Sequence, residues 1–181
     1  LRPLKGAAKV HGKTGLDGIE AIMPVSKGSG RPAFDLLTQT LLNSTCKITL
    51  VPLGPLTNIA IALLARPEIK EKIERITLMG GAASAEFNIS TDPEAAKIVF
   101  EFGIPITMVG LDVTHKALIY PNEIDDLRRL GRTGNAVAKL MDFYAEFYRK
   151  QFEGNPIHDA LAVASVFEPD MIGAAVIGPQ I

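Results

Sequence analysis

Cysteine occurs once in this chain, at Cys46, so an internal disulfide is excluded. No histidine lies near it in sequence, which leaves a cysteine nucleophile without support. Between Thr45 and an apolar stretch, the expectation is a buried thiol in a reducing compartment. Zinc-type Cys/His spacing is missing, as are the Gly-x-Ser-x-Gly elbow and the phosphate-binding P-loop. An excess of one charge is missing too. Nineteen basic side chains stand against 20 acidic ones with no basic stripe, which argues against a nucleic-acid partner. No apolar run is long enough to span a bilayer, so no membrane role is expected. What is present is a 181-residue chain, 47% hydrophobic, large enough for one domain with a real core.

Short apolar runs at 48–53, 75–79 and 106–111 read as buried strands. Helical spacing covers 33–43, 59–65, 93–102, 121–130, 134–152 and 158–167, with a helical turn at 68–72. Gly103 stands where a helix-ending glycine should. Residues 1–18 and 22–32 read as loop, and 174–177 as a further strand. Strands alternating with helices of crossover length predict an α/β fold, an open, mostly parallel sheet flanked by helices, as one domain over 1–181. Polar motifs follow three successive strands, at 54–58, 80–88 and 112–115. The carboxyl ends of the strands are therefore the expected functional edge.

The segment 85–96 is the most informative. If extended, it turns Glu86 and Asn88 to one side, where carboxylate and carboxamide can bond sugar hydroxyls, and turns Phe87 back into the core. Asp92 before Pro93 reads as a helix cap, with Ser90 and Thr91 as alternatives. His158 and Asp159 open an apolar helix. Asp159 is a cap or a cation ligand, and His158 a candidate general acid. His115 reads as a solvated loop histidine. Tyr144 and Tyr148 share one helix face and suit a wet pocket, whereas Phe143 and Phe147 read as core. The polar side chains favour oxygen ligation, hence calcium or magnesium rather than zinc.

Together these motifs resemble the inosine–uridine preferring nucleoside hydrolase family. The resemblance rests on Val10-His11-Gly12-Lys13-Thr14-Gly15-Leu16-Asp17-Gly18, Val51-Pro52-Leu53-Gly54-Pro55-Leu56-Thr57-Asn58 and Leu78-Met79-Gly80-Gly81. It continues through Ala85-Glu86-Phe87-Asn88, Asp92-Pro93-Glu94, Gly110-Leu111-Asp112-Val113-Thr114 and Pro156-Ile157-His158-Asp159. It implies calcium-dependent cleavage of the N-glycosidic bond of ribonucleosides, with inosine–uridine or pyrimidine preference given the lack of tryptophan. It also implies a cytoplasmic homodimer or homotetramer. By position, Asp159 and the backbone carbonyl of Leu53 would ligate Ca2+, and Glu86 and Asn88 would hold the ribose. Met79 would pack near the sugar, His11 and Phe87 would border the pocket, and Tyr144 and Tyr148 would cover the base. His158 would serve the leaving base as acid. The family pattern also includes an aspartate cluster, DxDxxxDD, and a longer loop before the Glu86 position. This sequence has neither, and its adjacent acidic pair, Asp125-Asp126, falls in a solvated helix. The expectation is a chain incomplete at both ends and inactive as it stands. The rival reading is a non-catalytic sugar- or nucleoside-binding module, or an inactive remnant.

Overall fold

The computed structural model describes residue 6 and residues 8–19, 26–82 and 86–173. At its centre lies a parallel sheet in the order β1-β2-β3, built from Ile48–Leu50, Ile73–Met79 and Ile106–Val109. Leu50 pairs with Ile76, and Met79 with Val109. The last four residues of β2 are all buried, as a central parallel strand covered on both faces requires. Helix α3 (Thr57–Ala65) and a 3-10 turn (Pro67–Lys72) carry the chain from β1 to β2. Helices α4 (Phe87–Thr91) and α5 (Pro93–Glu101) carry it from β2 to β3. Helix α2 (Ala33–Asn43) packs on α3, and their apolar faces meet β1, β2 and α5 in the main core. Leu41, Leu63, Ile69, Ile76 and Val99 are wholly buried there, each worth about 1.5–3 kcal/mol of transfer free energy.

The rest of the chain builds a wall beside the strand ends. After β3 come α6 (Leu111–Thr114), β4 (Leu118–Ile119), α7 (Pro121–Arg128) and α8 (Gly131–Tyr148). β5 (Asn155–Pro156) pairs antiparallel with β4 and delivers α9 (His158–Phe167) back to the sheet. Leu161 and Ala162 of α9 pack on Met79 and Val109 as a second, smaller core. A short α1 (Ala8–His11) rests on α8.

The architecture is the α/β one expected, with differences in detail. Residues 8–11 are helical rather than loop, and the long helix runs 131–148 rather than 134–152. Cys46 is exposed, not buried. It sits in a turn closed by Ser44, whose hydroxyl donates to the Cys46 carbonyl at 2.6 Å and accepts from the Cys46 N–H at 3.2 Å. Asp125 and Asp126 are solvated, as expected, and pair with Arg128 and Arg129. The expected strand at 174–177 lies outside the described residues. Among the described residues, no helix is long and apolar enough to cross a membrane.

Candidate functional site

The carboxyl ends of the strands open into a cavity of about 970 Å³. Backbone bonds carry the strand alignment up to its floor: the Met79 N–H donates to Pro52 O, and the Leu111 N–H to Gly81 O. Leu53, Met79 and Leu111, at or just beyond the ends of three neighbouring strands, thereby reach the cavity.

Glu86 is 6% exposed and caps α4. Its Oε1 accepts from the Asn88 N–H at 2.7 Å, and its Oε2 from the N–H groups of Gly81 (3.1 Å) and Ile89 (3.0 Å). The segment is therefore not extended, because a carboxylate preceding a helix finds the helix's unpaired N–H groups first. Three of the roughly four acceptor positions of a carboxylate are engaged with backbone. Phe87 points outward instead of into the core and is 40% exposed at the cavity edge. Gly81 adopts φ +89°, and a Cβ there would lie 2.6 Å from Met108 Sδ, so a side chain is excluded where Glu86 needs the N–H. The Asn88 amide donates to Met79 O at 3.1 Å and reaches Leu53 O at 3.5 Å, bridging the ends of β2 and β1.

His158 and Asp159 occupy the first turn of α9, whose N-terminus has no side-chain cap. The cap alternative for Asp159 is thus not realised. Its carboxylate borders the cavity at a helix N-terminus, where the dipole favours negative charge. Burial pushes its carboxyl above the usual range; His11 opposes this and Glu86 adds to it. His158 Nδ1 lies 2.7 Å from Thr114 Oγ1, and Nε2 lies 3.2 Å from the Tyr148 hydroxyl. Burial above all, then the nearby His115, lowers the His158 pKa to about 4, while Glu86 acts the other way. The imidazole is consequently neutral at neutral pH and offers an N–H hydrogen bond rather than a stored imidazolium proton.

Helix α8 supplies an aromatic wall. Tyr144 and Tyr148 line the cavity as expected, 4.8 Å apart, and His11 stands nearly parallel to Tyr144 at 6.0 Å. Burial and the neighbouring Tyr148 keep the Tyr144 phenol protonated. Phe143 and Phe147 also line the cavity and are not core, because α8 covers the strand ends rather than the sheet. His115 is not solvated: its ring packs 4.9 Å from Phe152 and 5.6 Å, edge-on, from His158. The motif at 112–115 does lie at the expected functional edge, but nothing in the sequence singles out Thr114 within it.

The donors present are of the right type for calcium but too few. Asp159 offers a carboxylate and Leu53 a carbonyl, whereas calcium takes about six to eight oxygens. Among the described residues, no three His, Cys, Asp or Glu side chains converge on a point that could hold a metal ion. The described residues alone do not build a calcium site.

A model of the inosine-uridine preferring nucleoside hydrolase family matches residues 1–178. The pyrimidine-specific ribonucleoside hydrolase RihA of Shewanella baltica is 46% identical over 184 residues, covering 96% of this chain and 58% of that protein. The solved structure of a purine-preferring ribonucleoside hydrolase from Gardnerella vaginalis matches with a TM-score of 0.85 at 38% identity, over 92% of this chain and 56% of that one. A plant nucleoside hydrolase gives the same TM-score, 0.85, at 31% identity, over 93% and 57%. The chain spans less than two thirds of the length of these relatives.

Proposed function

The chain belongs to the inosine–uridine preferring nucleoside hydrolase family, and from that premise we propose that the whole protein hydrolyses the N-glycosidic bond of ribonucleosides to ribose and free base. The observation that carries this reading is the meeting of Asn88, Glu86, Asp159 and His158 in one cavity with an aromatic wall. Asn88 and the remaining acceptor capacity of Glu86 bond the ribose hydroxyls. Their negative end favours the positive charge that builds on the sugar as the bond breaks. Met79 packs under the sugar, and His11, Phe87, Tyr144 and Tyr148 enclose the base. His158 donates a hydrogen bond to the departing base.

Calcium dependence belongs to the same proposal. Asp159 and the Leu53 carbonyl would be two oxygens of a larger shell, and the ion would supply an activated water. Pyrimidine nucleosides are the favoured substrates, in keeping with the printed specificity of the RihA relatives. A cytoplasmic homodimer or homotetramer also fits this reading. Light scattering of the full-length protein is expected to give a multiple of the monomer mass, and a monomer would overturn the assembly.

The test is release of free base from uridine, cytidine and inosine by the full-length protein, with and without a calcium chelator. Release that stops on chelation and returns with calcium supports the whole reading. Release that ignores the chelator removes calcium from it. Tight ribose binding without release favours a binding module.

A further inference from the structure

Three helical threonines of this chain behave alike. Thr38, Thr40 and Thr91 each donate the side-chain hydroxyl to the carbonyl four residues earlier, at 2.8, 2.8 and 2.7 Å. Thr114 has the same opportunity, since its own N–H bonds Gly110 O at 3.0 Å. Its hydroxyl instead meets His158 Nδ1 at 2.7 Å, its one hydrogen bond among the described residues. Thr114 is wholly buried, at 0% exposure, so water offers no substitute partner.

The direction of this bond follows from proton counting. A threonine hydroxyl has one proton to give, and a ring nitrogen either carries a proton or accepts one. If Nδ1 carried the ring proton, Thr114 would have to accept it, and with Oγ1 turned to His158 rather than to the Gly110 carbonyl the buried hydroxyl proton would have no acceptor among the described residues. Stranding a buried donor proton is costly. If Thr114 donates, its proton is used, and the ring proton must sit on the other nitrogen.

We propose that Thr114 is a positioning residue: its hydroxyl donates to Nδ1 of His158 and so holds the ring proton on Nε2, the nitrogen beside Tyr148 at the cavity. The 3.2 Å contact from Nε2 to the Tyr148 hydroxyl is longer than the 2.7 Å bond to Thr114, so Nε2 is the freer end to turn to a ligand. Thr114 is itself held firmly. Helix α6 is tied to the end of β2 by the bond from the Leu111 N–H to Gly81 O at 2.9 Å. The ring orientation is thereby referred to the sheet that also carries Met79 and, through Gly81, Glu86. The role of this N–H toward the leaving base rests on the function proposed above; the hydrogen-bond direction does not.

The two are separable by experiment. In the full-length protein labelled with nitrogen-15 histidine, long-range proton–nitrogen correlation reads the tautomer of His158 directly. The expected result is the Nε2–H form in the wild type, lost in Thr114→Val and kept in Thr114→Ser. A wild type in the Nδ1–H form, or a spectrum unchanged in Thr114→Val, overturns the proposal without need of any activity. The kinetic arm compares uridine with p-nitrophenyl riboside, whose leaving group departs without a proton. Thr114→Val is expected to lower kcat on uridine by about tenfold or more while sparing the activated substrate, and Thr114→Ser to restore it. Equal losses on both substrates would overturn the positioning role. His158→Ala that turns over uridine normally would refute the function assigned to His158, with the spectrum still deciding for or against Thr114.

Discussion

Glu86 and Asn88 face the same cavity two residues apart, yet they should fail differently when replaced. Glu86 holds three backbone N–H groups, so its loss is first a matter of stability. In Glu86→Gln one carboxylate oxygen becomes an amide donor facing N–H donors. The expected cost is about 1–3 kcal/mol, read as a lower urea midpoint. A variant as stable as the wild type would mean that the carboxylate does not tie Gly81 to α4. Asn88→Ala removes an amide that bonds Met79 O. Its expected stability loss is about 1 kcal/mol or less, while ribose affinity measured by calorimetry should collapse. Unchanged affinity would take Asn88 out of the sugar site. The shared cavity of this pair was legible in the sequence, but its geometry was not. Alternation of faces presupposes an extended chain, and the pull of α4's unpaired N–H groups on Glu86 overrode it. The same blindness to local partners hid Thr114, whose hydroxyl reads as ordinary until His158, 44 positions later, is packed beside it.

Elements with strong punctuation were read nearly to the residue. Asp92, Pro93 and Gly103 bracket α5, and the structure begins and ends it there. The buried run of β2 likewise left little choice. Weakly punctuated elements are not legible in the sequence. The two-residue strands β4 and β5 are too short to show a period of two. The stripe of Phe143, Tyr144, Phe147 and Tyr148 announced an apolar helix face without saying whether it met the core or a cavity. The Asp92 cap also links two elements, because the Thr57 hydroxyl at the start of α3 donates to its second oxygen at 2.5 Å. Asp92→Ala should therefore cost more than a lone cap, roughly 1–2 kcal/mol. Thermal melts of Asp92→Ala, Thr57→Val and the double variant would show it. If the two single losses simply add, the bond between α3 and α5 does not contribute to the cap.

Over the whole molecule, the cavity draws on segments far apart in the chain. All three histidines, His11, His115 and His158, border it, and so do Leu53, Glu86 and Tyr144. The main core around Leu63 and Val99 lies on α2, α3 and α5, away from that mouth. Walls gathered from remote segments with little shared core are the parts of a fold that open most readily. A bound nucleoside that touches several of them should close them together. Hydrogen exchange on the full-length protein with and without ribose or uridine tests this. Slowed exchange is expected together in 8–17, 86–91, 111–115 and 140–148, with no change in α2 at 33–43. Protection confined to 86–91 would mean that the sugar is held without the aromatic wall, leaving His158 too distant to serve the base. Protection spread evenly through α2 as well would point to general stiffening, and the cavity would lose its standing as the site of binding.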